Sequence, residues 1–183
     1  TADVRAPGGI EGHGNVLVVE HTADVGLVTF RFKNPDVRML AAEEDFEFAG
    51  RTLRAGAIIV PDAGERTRSL LAPHLERLGL SAWAVDAAPT VKTHELDVPR
   101  IGYVHSWTRT QDEGWWRAAL DTYGVPYTYL ADQELRAGNL RAQFDVLLFP
   151  HVGGSAVSQV NGIPITGGAP LPYRKTADTP NLG

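Results

Sequence analysis

Residues 100–149 read RIGYVHSWTRTQDEGWWRAALDTYGVPYTYLADQELRAGNLRAQFDVLLF, and this stretch decides the fold. The apolar run at 100–105 predicts a strand. Thr110-Gln111-Asp112-Glu113 has the spacing of a capping box, in which a threonine and a glutamate three residues on serve each other's backbone N–H groups. Trp116, Ala119, Leu120 and Tyr123 then recur at i, i+3, i+4 and i+7, which predicts a helix with one apolar face, closed by Gly124. A second strand is expected over 126–130, a short helix over 132–137 with Gly138 behind it, and a third strand over 145–149. Strand, helix, strand, helix, strand with short links implies a parallel sheet, and ligands of such sheets bind beyond the carboxyl ends of the strands.

Upstream, Val16-Leu17-Val18-Val19 reads as a buried strand. Thr22 is a candidate cap for a helix over 23–32 with Val25, Val28 and Phe32 on its inner face. The alternation of Val28, Phe30 and Phe32 also suits a strand, and the helix reading is preferred. Asn34-Pro35-Asp36 is a turn, 37–42 a second strand, and Phe46, Phe48, Gly50, Leu53 and 57–60 a hairpin or two short strands. Asp62 to Glu65 is another capping-box pattern, opening a helix that carries Leu71, His74, Leu75 and Leu78 and ends at Gly79. A strand is expected over 82–86, and 87–99, with its two prolines, is the best boundary. The glycine- and proline-rich residues 1–14 read as a linker, and the proline-rich residues from 164 to the end are likewise aperiodic. Both ends are expected to be parts of a longer polypeptide.

The chain has 183 residues, 43 % of them hydrophobic, a formal net charge of -5 and no cysteine. A core of ordinary size is within reach. Disulfides, thiolate metal sites and cysteine nucleophiles are excluded. No basic stripe suggests nucleic acid, no apolar run reaches bilayer-spanning length, and residues 1–14 lack the pattern of a signal peptide.

The chemistry-bearing residues gather at 105–113. His105, Trp107, Arg109, Asp112 and Glu113 leave a strand's carboxyl end and enter a helix N-terminus, where free N–H groups and the helix dipole favour anions. The plainer reading is that Thr110 and Glu113 cap the helix and the tryptophans pack. His151, Gly153 and Gly154 follow the third strand and would share that edge; the glycines allow close backbone approach but lack the spacing of a phosphate-binding fingerprint. Two histidines alone are an incomplete metal site. Ser106, Ser155 and Ser158 are the hydroxyls nearby, none in a G-x-S-x-G setting, and His94-Glu95 does not continue as H-E-x-x-H.

The runs HSWTRTQDEGWWRAALDTYGVPYTYLADQ (105–133) and FDVLLFPHVGG (144–154) resemble a region of large bacterial zinc carboxypeptidase-like proteins. These are carboxypeptidase A relatives with a glutamine-amidotransferase-like domain after the peptidase domain. EHTADVGLVTFRFKN (20–34), AAEEDFEFAGRTLRAGAIIVP (41–61) and DAAPTVKTHELDVPRIGYVH (86–105) resemble the same proteins. The resemblance implies a secreted or periplasmic metallopeptidase parent. Its zinc, held by H-x-x-E and a distant histidine, would lie outside this chain, which carries no matching pair and needs no cofactor of its own. Residues 144–154 resemble the strand and glycine turn that contribute to the oxyanion hole of class I glutamine amidotransferases, whose cysteine has no counterpart here.

The fold expected is α/β: a linker over 1–14, a small α/β unit over 15–97, and a flavodoxin-like or class I amidotransferase-like parallel-sheet domain over 98–183, incomplete at its C-terminus. The function expected is that of a non-catalytic accessory region. It would bind the peptidase domain of the same polypeptide, a small molecule or a peptide, through His105, Trp107, Arg109, Asp112, Glu113, His151, Gly153 and Gly154. The alternative is a hydrolase or amidotransferase-type enzyme working around His105 and His151.

Overall fold

A computed structural model describes residues 6–105, 110–149, 155–161 and 177. The chain divides into two compact units between Val98 and Pro99.

The first unit runs β1 (Gly9–Gly12), β2 (Val16–Val19), α1 (Gly26–Lys33), β3 (Leu40–Ala42), β4 (Phe46–Phe48), β5 (Arg51–Leu53), β6 (Ile58–Val60), α2 (Glu65–Leu78), β7 (Ser81–Val85) and β8 (Thr93–Glu95). Six strands form one sheet in the order β1-β7-β2-β6-β3-β8, with β1 parallel to β7 and the remaining pairs antiparallel. β2 sits inside this sheet, and all four of its residues are buried. Its side chains alternate between two cores, as the pleat requires. Leu17 and Val19 meet Leu27, Phe30, Leu71 and Leu75 of the helices, whereas Val18 joins Phe46, Leu53 and Ala57. The β4–β5 hairpin turns through Ala49 and Gly50, both at positive φ (48° and 77°). Two such residues in a row make the tight turn whose twist suits a two-residue hairpin.

Several local expectations are corrected. Residues 9–12 of the supposed linker are β1, and the Gly9 N–H donates to the Leu80 carbonyl at 2.9 Å. The glycines there serve close approach: a Cβ on Gly8 would lie 2.3 Å from the Leu75 oxygen. The supposed connector 87–99 contains β8, paired with β3. Residues 37–39 are not strand, and α2 starts with Gly64 in the cap position and no side-chain cap, so Asp62 does not complete a capping box. The end of α2 at the left-handed Gly79 is as expected, as is its Leu71/Leu75 face.

α1 begins at Gly26 instead of 23, its first N–H bonded to Asp24 Oδ1 at 2.6 Å and not to Thr22. The face is also different. Val25 and Val28 are 47 % and 43 % exposed, while Leu27, Phe30, Arg31 and Asn34 are buried. That is an i, i+3, i+4, i+7 stripe with two polar members. Arg31 donates to the carbonyls of Leu96 (2.6 Å), Asn34 (2.7 Å) and Val37 (3.1 Å). Asn34 Nδ2 donates to the Phe30 carbonyl, and its Oδ1 lies 3.0 Å from His74 Nδ1. Buried polar groups persist when their hydrogen bonds are made, and here they fix the chain from 34 to 37 as a turn.

The second unit runs β9 (Ile101–Val104), α3 (Thr110–Tyr123), β10 (Thr128–Leu130), α4 (Asp132–Ala137), α5 (Leu140–Gln143), β11 (Val146–Leu148) and α6 (Ala156–Asn161). Its three strands are parallel, in the order β10-β9-β11, so the first strand in sequence is central. The parallel sheet expected for this half is present; α5 was not anticipated. Gly102 lies where that centre is tightest, since a Cβ would meet side-chain atoms of Leu130 and Leu147 at 2.8 Å. Among the described residues no helix is long and apolar enough to cross a membrane.

Candidate functional site

β9 and β10 pair with Tyr103 opposite Tyr129. In parallel strands, residues two apart share a face. Tyr103 and His105 therefore stand on the same side as Tyr127 and Tyr129. The tyrosine rings pack together, Tyr103 with Tyr127 at 5.5 Å and with Tyr129 at 6.2 Å between centroids.

α3 meets this face with a polar stripe. Glu113, Arg117 and Asp121, at i, i+4 and i+8, lie along one side of a helix. The Glu113 carbonyl accepts from the Tyr103 hydroxyl at 3.1 Å. Arg117 Nε donates to the Tyr127 oxygen at 3.2 Å, and its guanidinium lies 4.3 Å from the centre of the Tyr129 ring. The Tyr127 hydroxyl donates to Asp121 Oδ1 at 3.1 Å. The face expected to be buried is buried only in part: Ala119 and Leu120 are half-buried, whereas Trp116 is 50 % and Tyr123 37 % exposed, with Trp115 beside them at 70 %.

At the carboxyl end of β9 the stripe reaches His105. Its Nδ1 lies 2.9 Å from Glu113 Oε2 and 3.1 Å from Oε1, and the Tyr129 hydroxyl donates to the same carboxylate. The pair is secluded: the side chains of His105 and Glu113 are 14 % and 4 % exposed. An ionised carboxylate only accepts, so Nδ1 carries the proton directed at Glu113. Burial, reinforced by the Glu113 charge, raises the Tyr103 phenol to about 12. Tyr129 is pushed up by burial and then by its bond to Glu113. Both therefore remain O–H donors at neutral pH.

Of the residues singled out from the sequence, His105 and Glu113 come together. Asp112 is exposed on α3. Trp107, Arg109, His151, Gly153 and Gly154 lie outside the described residues. Glu113, expected to complete a capping box with Thr110, has its carboxylate on His105 and Tyr129. Ser155 and Ser158 form a reciprocal cap at the start of α6, the Ser155 N–H on Ser158 Oγ at 3.0 Å and the Ser158 N–H on Ser155 Oγ at 3.2 Å. Sequence reading missed Tyr129, Tyr103 and Arg117, although the paired alternations Tyr103-x-His105 and Tyr127-x-Tyr129 carried the signal.

Among the described residues no three histidine or carboxylate side chains converge to hold a metal ion. Compared with protein-family models, curated proteins and solved structures, the chain finds no match in any of the three.

Proposed function

We propose that the second unit is a ligand-binding accessory module, recognising a small molecule or peptide at the carboxyl edge of its parallel sheet through His105 and Glu113. One observation carries this: a secluded carboxylate–imidazole pair stands at the carboxyl end of the central strand, where parallel sheets bind their ligands. A buried ionisable pair is an expensive way to fill a helix–sheet interface, and such pairs concentrate at functional sites. The β10-β9-β11 order, first strand central, agrees with a flavodoxin-like or class I amidotransferase-like sheet, which we propose for this unit. On the resemblance of its long runs, the parent is a secreted or periplasmic zinc carboxypeptidase-like protein whose peptidase domain is the partner.

The test is a titration of single amino acids and short peptides against the full chain, with melting temperature as the readout. A ligand that stabilises wild type but not His105→Ala supports the reading; no stabilisation by any of them counts against it. The same pair also suits a general base, because a carboxylate on Nδ1 orients the ring and stabilises its protonated form. That second reading expects hydrolysis of a peptide or amide by the full chain, lost in His105→Ala.

A further inference from the structure

The geometry points to a carboxylate-binding site at Arg117, whose guanidinium is held in place while its two terminal nitrogens stay open. The ligand of the second unit is then an organic acid or a peptide C-terminus. The inference rests on the reading of that unit as a ligand-binding module.

The guanidinium is held on two sides. Its Nε donates to the Tyr127 oxygen at 3.2 Å, and the Tyr127 hydroxyl gives its own proton to Asp121 Oδ1 at 3.1 Å. Its centre lies 4.3 Å from the centre of the Tyr129 ring, which stacks in turn on the fully buried Tyr103 at 6.2 Å. An arginine has five N–H donors, and Nε carries one of them. The four on the terminal nitrogens meet no acceptor among the described residues, and neither nitrogen is buried. Among the described residues Arg117 has no ion-pair partner either. Glu113, one turn back, acts on it only from a distance, and Asp121, one turn on, takes the Tyr127 proton instead. A guanidinium of fixed plane with open terminal nitrogens matches the two oxygens of a carboxylate. Because the long side chain is already ordered, a ligand binding there does not bear that loss of freedom.

The charges nearby select a monoanion. Of the charged groups acting on Tyr103 and Tyr129, among the described residues, Arg117 is the cation and Glu113 the carboxylate. A phosphate dianion would meet one positive charge with a negative one close by, whereas a carboxylate needs only the one. Access is open at the platform, since Tyr129 is 40 % exposed. The same ring meets His105 at 5.1 Å, so Arg117 stands one ring away from the proposed recognition pair.

The test is NMR of the full chain, uniformly labelled with nitrogen-15, at constant ionic strength. The probes are acetate, N-acetyl-glycylglycine, the C-terminal amide of that dipeptide, and inorganic phosphate. Acetate or the dipeptide acid should shift the Arg117 side-chain nitrogens in a saturable way. The amide should not, and phosphate should bind about tenfold more weakly. Tighter binding of the dipeptide acid than of acetate supports a peptide C-terminus as the source, and the reverse supports a small organic acid. Arg117→Lys keeps the charge and loses the planar fork. It should weaken the better probe about tenfold, read on the backbone amides of Tyr127 and Tyr129. Wild-type Arg117 nitrogens that no probe moves to saturation overturn the inference without any variant, which covers an Arg117→Lys chain that does not fold. Binding of the amide or of phosphate as tight as that of the acids overturns it too, as does an unchanged affinity in Arg117→Lys. The melting titration reads any ligand through His105, whereas this experiment reads Arg117 itself. A ligand that stabilises the chain while the Arg117 nitrogens stay still therefore defeats this inference and leaves the ligand-binding reading standing.

Discussion

The two units put their sheets to different use. In the first, β2 is apolar on both sides, and each side is covered: one by α1 and α2, the other by the β4–β5 hairpin with Phe46 and Leu53. In the second, the helix over the sheet brings Glu113, Arg117 and Asp121 to meet tyrosines and a histidine, while its tryptophans face outward. Among the described residues only Tyr103, Val104, Val125 and Leu130 are buried apolar side chains of that unit. Burial of apolar area holds a fold with little regard to direction, whereas a hydrogen-bonded network holds it only in one geometry. Among the described residues, then, the first unit is held chiefly by apolar burial, and the second uses its helix–sheet contact to place a few polar groups accurately.

The contrast is broken most directly by Phe30→Ala, which removes a fully buried ring from the core under α1. A loss of about 3–5 kcal/mol is expected, measured by urea unfolding with Trp83 fluorescence as the local reporter. A loss below about 0.5 kcal/mol, the range of a surface substitution, would show that the two cores do not differ as described.

Next is Glu113→Ala. It leaves the Tyr129 hydroxyl and His105 Nδ1 without the acceptor that now joins them, at a cost of about 1–3 kcal/mol. Tyr103→Phe should cost less, about 1 kcal/mol, because it removes one neutral hydrogen bond, to the Glu113 carbonyl. It also has a pH signature. The folded-state phenol, at about 12, lies above its ordinary 10.0. The unfolded chain therefore gives up this proton first, and the contribution, complete below pH 10, is lost as pH rises toward 12. Tyr103→Phe should flatten the alkaline limb of the stability profile in that window. Trp115→Ser, on the exposed side of α3, should change stability by no more than about 0.5 kcal/mol. A large loss there would mean that the helix packs by its tryptophans after all.

The same difference decides what was legible in the sequence. Val16–Val19, the Leu71/Leu75 face and the terminating Gly79 follow from hydrophobic period and glycine stereochemistry, and they stand where those rules put them. The alternation through Tyr103 and Tyr129 and the order of strands and helices in the second unit were legible for the same reason. The rules failed where polar side chains took core positions. Arg31 and Asn34 occupy half of the buried stripe of α1, so Val25 and Val28 supplied a false face. Glu113 and Arg117 did the same for α3, where Trp116 and Tyr123 looked like the inner side. β1 was hidden because glycines needed for close approach look like a loop. The site was half legible. A histidine after a strand and a glutamate one turn into the next helix were visible, but Tyr129 reaches them through strand pairing, a contact between residues 24 apart.

The smallest expected effect concerns the entry to the second sheet, where Arg100 and Asp145 join the starts of β9 and β11. The Arg100 guanidinium holds both Asp145 oxygens, at 2.9 and 3.0 Å, and its backbone N–H reaches Oδ2 at 2.8 Å. Those side-chain bonds, then the backbone bond, bring the carboxyl from its ordinary 3.8 down to about 2. The folded form therefore releases this proton more readily than the unfolded chain. The pair's contribution is whole above pH 4 and disappears as pH falls through 2. Both side chains are half exposed, so salt screens them and the contribution is small. Asp145→Asn should remove this small contribution at pH 7, flatten the acid-induced loss of stability between pH 4 and 2 by the same amount, and make the remainder less sensitive to added salt. An unaltered acid limb would mean that the two strand starts are held by their ladder alone, and that the polar network of the second unit is confined to the carboxyl end of the sheet.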